Sequence, residues 1–203
     1  MNNNISHNTA LSELAFSIVD TETSGGRPET GNALVEIAAV KITPGFVLDL
    51  PEAFSSLINP EIPISPEVTA IHGITDKDVT AAPCLKSVLA DFSGFVKNSI
   101  IVAHNAPFDC KMINASCRWV GLKSPVIYAI DTVKLSRKLN RNLESHNLDT
   151  LISYYGVETP RPGLWRHRAL YDADLTAMIF CKMLAELDHL GLSTLGDLYD
   201  YAG

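Results

Sequence analysis

The stretch FSIVDTETSGG, residues 16–26, runs from four mostly apolar residues into two acids flanking one threonine, and then into a glycine pair that ends regular structure. In a strand, residues two apart point to one side and lie about 6.5 Å from each other, so Asp20 and Glu22 share a face. At an effective dielectric near 20, two full charges at that distance repel by about 2.5 kcal/mol, a sizeable part of a domain's net stability. No lysine or arginine lies within four residues of either acid. Compensation has to come from a proton, a distant cation of the chain, or a metal ion.

Two further acidic sites follow. In IVAHNAPFDCK, residues 101–111, a second apolar strand runs into His104 and Asn105, and Asp109 opens a helix. A carboxylate there has an ordinary use, because it complements the helix dipole. In WRHRALYDADLTAMIF, residues 165–180, His167 stands five residues before Asp172 at the start of the longest helix. Asp174 lies about 200° round that helix from Asp172, so both cannot face one site, and spacing does not choose between them. Strand carboxylates, a helix-start carboxylate and a second helical carboxylate beside an imidazole form a hard oxygen-rich set suited to Mg²⁺ or Mn²⁺. Two such ions about 3.5–4 Å apart clamp the attacking and leaving oxygens of a phosphodiester, and four carboxylates balance their charge.

The chain's 203 residues suffice for one sizeable core. The first dozen, with their asparagine run, are expected to be loosely held, leaving a single domain over 13–203. No apolar stretch approaches the roughly 18 residues of a membrane span, and the N-terminus lacks a signal-peptide pattern. Four cysteines without a CxxC pair fit reduced thiols, so a soluble cytoplasmic protein without a membrane partner is expected. Strands are predicted at 14–20, 33–42 and 52–58, as an antiparallel meander, and then at 99–105 and 126–131. Helices are predicted over 65–75, 83–97, about 108–120, 148–156 and 169–187, with a last turn or two after Ser193. That order implies an α/β fold, a mixed five-stranded sheet with helices on both faces.

Taken together, DTET at 20–23, HNAPFD at 104–109 and HRALYDA at 167–173 resemble the three motifs of the DEDDh 3′–5′ exonucleases, the superfamily of the DNA polymerase III epsilon subunit, ribonuclease T and oligoribonuclease. The similarity extends from about Leu14 to Leu187, because LVEIAAVKI, INPEIPISPEVTAIHGIT and IDTVKLSR also match family segments in order. The resemblance implies a ribonuclease H-like three-layer fold, with Asp20, Glu22, Asp109 and Asp172 holding two Mg²⁺ ions, replaceable by Mn²⁺. It selects Asp172 over Asp174 and makes His167 the base that takes a proton from the attacking water, a task for which imidazole is suited near neutral pH. The sister subclass carries tyrosine four residues before the last acid, where this chain has Arg168. Thr23, Ser24 and Gly25 would approach the terminal nucleotide, although the family more often has threonine in place of Ser24. Ile71 and His72 would pack on the terminal base and sugar, and Asn105 and Phe108 would line the pocket. For Phe108 the alternative is plain core, and for His72 a cap on the turn before Gly73. His104 supports the site rather than ligating metal, and Glu36, between apolar neighbours, is given no role.

The implied activity is a two-metal 3′–5′ exonuclease that releases nucleoside 5′-monophosphates from single-stranded or frayed ends, with DNA favoured in a proofreading or repair role. An RNA-trimming enzyme and a silent scaffold of the same fold are the rivals. The net charge of −7 argues against coating duplex nucleic acid through a broad basic face. Residues 134–168, however, hold seven basic side chains against three acidic ones, leaving nine against twenty elsewhere. Lys134, Arg137, Lys138 and Arg141 fall at one-face helical spacing, and with Arg161, Arg166 and Arg168 they could hold upstream phosphates or form a solvated surface. Trp165 is either a stacking partner for a base or a buried aromatic. About 16 residues follow Leu187, which argues for a stand-alone enzyme, or one docking a polymerase or a second copy through its folded surface, over one with a C-terminal tether.

Overall fold

Phe16, Ile18 and Val19 alternate between two apolar environments, and that alternation places their strand at the centre of the sheet. The computed structural model describes residues 5–202 apart from 27, 32, 127, 159, 160, 162 and 164. Strand β1 (Phe16–Thr23) pairs antiparallel with β2 (Leu34–Thr43), which pairs antiparallel with β3 (Val47–Leu57). On its other side β1 lies parallel to β4 (Ile100–Ala103), and β4 lies parallel to β5 (Ala129–Asp131), giving the order β3-β2-β1-β4-β5. Between β3 and β4 the chain forms α1 (Pro66–His72), α2 (Asp76–Val79) and α3 (Leu85–Phe95); α4 (Ala106–Trp119) joins β4 to β5. After β5 come α5 (Thr132–Leu139), α6 (Leu148–Tyr155), α7 (Ala169–His189) and α8 (Leu195–Ala202).

Each face of the sheet has its own core. Phe16, Ile18, Val40 and Val102 pack with Leu135, Leu151 and Phe180 from α5, α6 and α7. Val19, Ile37, Ala39 and Ile101 pack with Phe92 from α3 and Met112 and Ile113 from α4. This is the expected ribonuclease H-like three-layer arrangement, a mixed five-stranded sheet between helices. Among the described residues no helix is long and apolar enough to cross a membrane.

Four details differ from the sequence reading. β1 does not stop at the acids, because β2 supplies a partner through Asp20↔Ala38 and Glu22↔Glu36 before the register shifts at Thr23. β3 starts at Val47, five residues earlier than expected; a register shift between Val40 and Lys41 lets the ladder pass over residues 50–52. β5 is confined to Ala129–Asp131, and residue 127 of the expected strand lies outside the described residues. The segment expected to be loosely held makes specific bonds over residues 7–11: Leu11 N–H donates to the Ser193 carbonyl (2.8 Å), Leu195 N–H to that of Thr9 (2.9 Å) and Gly196 N–H to that of His7 (2.7 Å). Leu11 is 2% exposed, in the same core as Phe180.

Phe16 and Phe180 meet edge to face at 5.2 Å between centroids, locking the central strand to α7. Phe180→Ala is expected to destabilise the fold by about 3–5 kcal/mol, read as a lower urea midpoint with an unchanged slope.

Candidate active site

The acids meet where β1 and β4 end side by side and α7 begins. Asp20 and Glu22 come from β1 and Asp172 from the first turn of α7, and one carboxylate oxygen of each lies within 4.8 Å of those of the other two. Asp109, in the first turn of α4, sits beside this trio and accepts a hydrogen bond from the Thr21 hydroxyl at 2.7 Å. Asp174 points elsewhere: it is fully buried and paired with Arg161 at 2.7 Å. The 200° offset on the helix is thus resolved by packing, with Asp172 turned to the acids.

Burial and crowding make these carboxylates poor acids. Asp20 is held well above the usual carboxylate range, first by burial and then by repulsion from Asp109, Glu22 and Asp172. Glu22 is pushed up to about 8 by burial, with Asp172 and Glu36 adding repulsion. Asp109 is pushed up to about 7 by burial, against the lowering effect of the Thr21 hydroxyl. Asp172 is raised by burial although Arg166 opposes the shift.

Arg166 is the cation that the chain sets against this cluster. Its guanidinium bonds Asp149 on α6 at 2.7 Å and contacts Asp172 Oδ2, to which His167 N–H also donates at 3.3 Å. Asp172 Oδ1, by contrast, is buried without a hydrogen-bond partner among the described residues. This one guanidinium opposes the charge of Asp20, Glu22 and Asp172, and the adjoining cavity of about 530 Å³ is lined by Asp20, His104, Asn105, Arg137, Arg166 and Asp172, among others. All-oxygen donors, an orphaned buried oxygen and mutually repelling acids fit a hard divalent cation. Asp20, Glu22 and Asp172 can hold such an ion.

His167 sits in the turn before α7 with its side chain exposed and its backbone at φ 62°, a left-handed conformation that costs a non-glycine residue about 1 kcal/mol or more. The turn is fixed on both sides. Arg166 is tied as described, and Arg168 makes a two-pronged pair with Glu36 at 2.6 and 3.0 Å, while Ala169 N–H donates to the same carboxylate at 2.9 Å. Glu36, given no role from the sequence, thus joins β2 to the start of α7. Its place between apolar neighbours on a strand was the available clue, since a carboxylate buried there, as Glu36 is, needs a partner.

The other expected residues divide into two groups. Asn105 opens α4 in a left-handed conformation (φ 65°), is exposed, and lines the cavity; its N–H is held by Asp131 Oδ1 at 3.1 Å, and that oxygen also caps α5 through Val133 N–H. Ile71 is 55% exposed on α1. Phe108 is half-buried and packs against the core beneath α4. Thr23, Ser24 and His72 are buried and bonded within the protein: the Thr23 hydroxyl donates to the Gly25 carbonyl, and the Ser24 hydroxyl accepts from Ala33 N–H at 3.0 Å. Gly25 is partly exposed beside them. His72 Nδ1 accepts from Ile74 N–H at 3.0 Å, leaving Nε2 to donate to the Thr23 carbonyl at 3.2 Å, so its ring braces the end of β1. His104 Nδ1 bonds the Thr132 hydroxyl at 2.9 Å, and burial lowers its pKa to about 4, keeping the ring neutral at working pH.

The expected cationic stripe is split by the fold. α5 ends at Leu139, so Arg141 leaves the helical face; Arg137 lines the acidic cavity, Lys134 lines a different groove, and Lys138 donates to the Asp200 carbonyl on α8.

Fold and acid cluster together resemble those of the DEDDh exonucleases, and comparison with known proteins agrees on the family. A model of the exonuclease family that includes ribonuclease T matches residues 17–180. The chain is 39% identical over 190 residues to a DNA polymerase III subunit epsilon-like protein of Rhodobacter capsulatus, and 37% identical over 183 residues to a PolC-type DNA polymerase III of Caldanaerobacter subterraneus. Those matches cover 93% and 90% of this chain but 26% and 12% of the relatives, so it spans about a quarter of their length or less. A solved structure of exonuclease X in complex with 5′ overhanging duplex DNA superimposes with a TM-score of 0.72 at 31% identity, covering 93% of this chain and 99% of that one. The nuclease domain of 3′hExo, a DEDDh family member bound to rAMP, has a TM-score of 0.72 at 21% identity and shares the fold. The chain belongs to the exonuclease family.

Raised carboxyl pKa values have a thermodynamic consequence. Between the ordinary carboxylate range near 4 and the folded values of about 7 to 8, the folded chain keeps protons that the unfolded chain releases. The stabilisation is complete below that window and is lost as pH rises through it. The metal-free protein is therefore expected to melt at lower temperature at pH 8.5 than at pH 5.5, with a shallower slope in Glu22→Gln and a larger gain from Mn²⁺ at the higher pH. A scanning-fluorimetry series with no such slope difference would contradict the electrostatic picture.

Proposed function

We propose that this chain is a 3′–5′ exonuclease that removes nucleoside 5′-monophosphates one at a time from single-stranded or frayed 3′ ends of DNA, in a proofreading or repair setting in the cytoplasm. The observation that carries the reading is the convergence of Asp20, Glu22 and Asp172 within 4.8 Å, with Asp172 Oδ1 buried and unpartnered among the described residues. Two Mg²⁺ ions, or Mn²⁺ in their place, held by these residues with Asp109 would offset the acids' charge and polarise the scissile phosphodiester. His167, presented to solvent by its left-handed turn, takes the proton from the attacking water. Asn105, Ile71 and Phe108 surround the terminal nucleotide, while Thr23, Ser24, Gly25 and His72 shape the backbone at the end of β1.

DNA is preferred as the polymer because the similar proteins at 31–39% identity are named for DNA polymerases or were solved on DNA. Contacts to sugar, phosphate and base face imply little sequence preference.

Digestion of matched 5′-labelled DNA and RNA strands tests this directly. A ladder from the 3′ end of DNA is expected with Mg²⁺ or Mn²⁺ and none with EDTA or in Asp20→Asn. His167→Ala should lower kcat about 10²- to 10⁴-fold while Mn²⁺ affinity stays within a few-fold. Cleavage that survives EDTA or Asp20→Asn would remove the mechanism, and a ladder from RNA alone would reassign the substrate.

A further inference from the structure

Trp165 stands two residues before His167 and 56% exposed, although an indole is among the side chains with most to gain from burial. It is not a loose surface residue. The Arg168 guanidinium lies over its ring at 5.6 Å from the centroid, and that guanidinium is held by both oxygens of buried Glu36. The indole nitrogen lies against Gly73, where an added Cβ would come within 3.9 Å of it. Gly73 caps α1, which carries exposed Ile71 and the His72 that braces Thr23. The ring is thus backed by protein, tied into the frame that positions the acids and the histidine, and open on what remains.

We propose that Trp165 is a stacking platform for a nucleobase of the bound single strand, with Arg168 as its backing group. The inference rests on the nuclease reading and adds to it the aromatic contact that the acids and His167 do not supply. A base has an apolar face whatever its identity, so stacking holds a strand without fixing its sequence, as an enzyme that advances along the strand requires. The guanidinium behind the ring, itself fixed by Glu36, holds the indole plane in place.

The chain has two tryptophans, and Trp119, 87% exposed at the end of α4, serves as a control. In an Asp20→Asn background with Mg²⁺, Trp119→Phe leaves Trp165 as the sole reporter, and Trp165→Phe leaves Trp119. Titration with fluorescein-labelled hexathymidylate should quench Trp165 along the isotherm given by fluorescence anisotropy and leave Trp119 unchanged. Trp165→Ala should weaken binding roughly tenfold, whereas a fully abasic hexamer should bind Trp165→Ala and its parent equally. In the cleaving enzyme the same substitution should raise KM by a larger factor than it lowers kcat. Unchanged Trp165 emission during binding seen by anisotropy, or equal affinity of Trp165→Ala and parent for the hexathymidylate, would overturn the platform and leave the nuclease reading standing. No anisotropy change with the parent protein would overturn both.

Discussion

Carboxylates of Asp20, Glu22 and Asp172 stand within 4.8 Å of one another, with Asp109 close by, in surroundings that raise the pKa of each. Such a cluster opposes folding, and much of the fold serves to hold it together. β1 is the central strand, fixed on one side by eight pairings with β2 and on the other by β4. α7 is pinned across the sheet through the Phe16–Phe180 contact, which brings Asp172 over the strand acids. A domain stable by about 5–15 kcal/mol can carry this repulsion only because its two cores are well filled.

The turn that carries His167 is the second conserver of geometry. Arginines on both sides of it are tied to acids on three different elements: Arg166 to Asp149 and Asp172, and Arg168 to Glu36. Because one oxygen of Asp172 is engaged by Arg166 and the other has no hydrogen-bond partner among the described residues, the same carboxylate can keep its orientation and still offer a ligand atom. Asp131 plays the matching part at the other wall, holding the Asn105 backbone and capping α5 with one oxygen.

Much of this was legible in the chain itself. Two acids at strand spacing with no nearby cation pointed to compensation from elsewhere, and three ordered motifs narrowed the compensation to metal and the fold to the ribonuclease H-like type. Apolar alternation found the strands, and three- and four-residue spacing found most helices. What stayed hidden depended on long-range pairing. Glu36 and Arg168 are 132 residues apart in sequence, and no local pattern joins them. A helical wheel placed Arg137, Lys138 and Lys134 on one stripe, but α5 lies between two clefts and ends before Arg141. His72 and Ser24 matched family positions in sequence, and only the packed structure shows their polar atoms spent on the backbone around β1.

The claim beneath all of this is that the repelling acids are a binding site for divalent cations and that Arg166 leaves room for them. Anomalous diffraction from crystals grown with Mn²⁺ tests it most directly. Two peaks about 3.5–4 Å apart among Asp20, Glu22, Asp109 and Asp172, with Asp172 Oδ1 as a ligand, are the predicted result. A map without manganese at the cluster at saturating Mn²⁺, with the Arg166 guanidinium filling the space between the carboxylates, would contradict it.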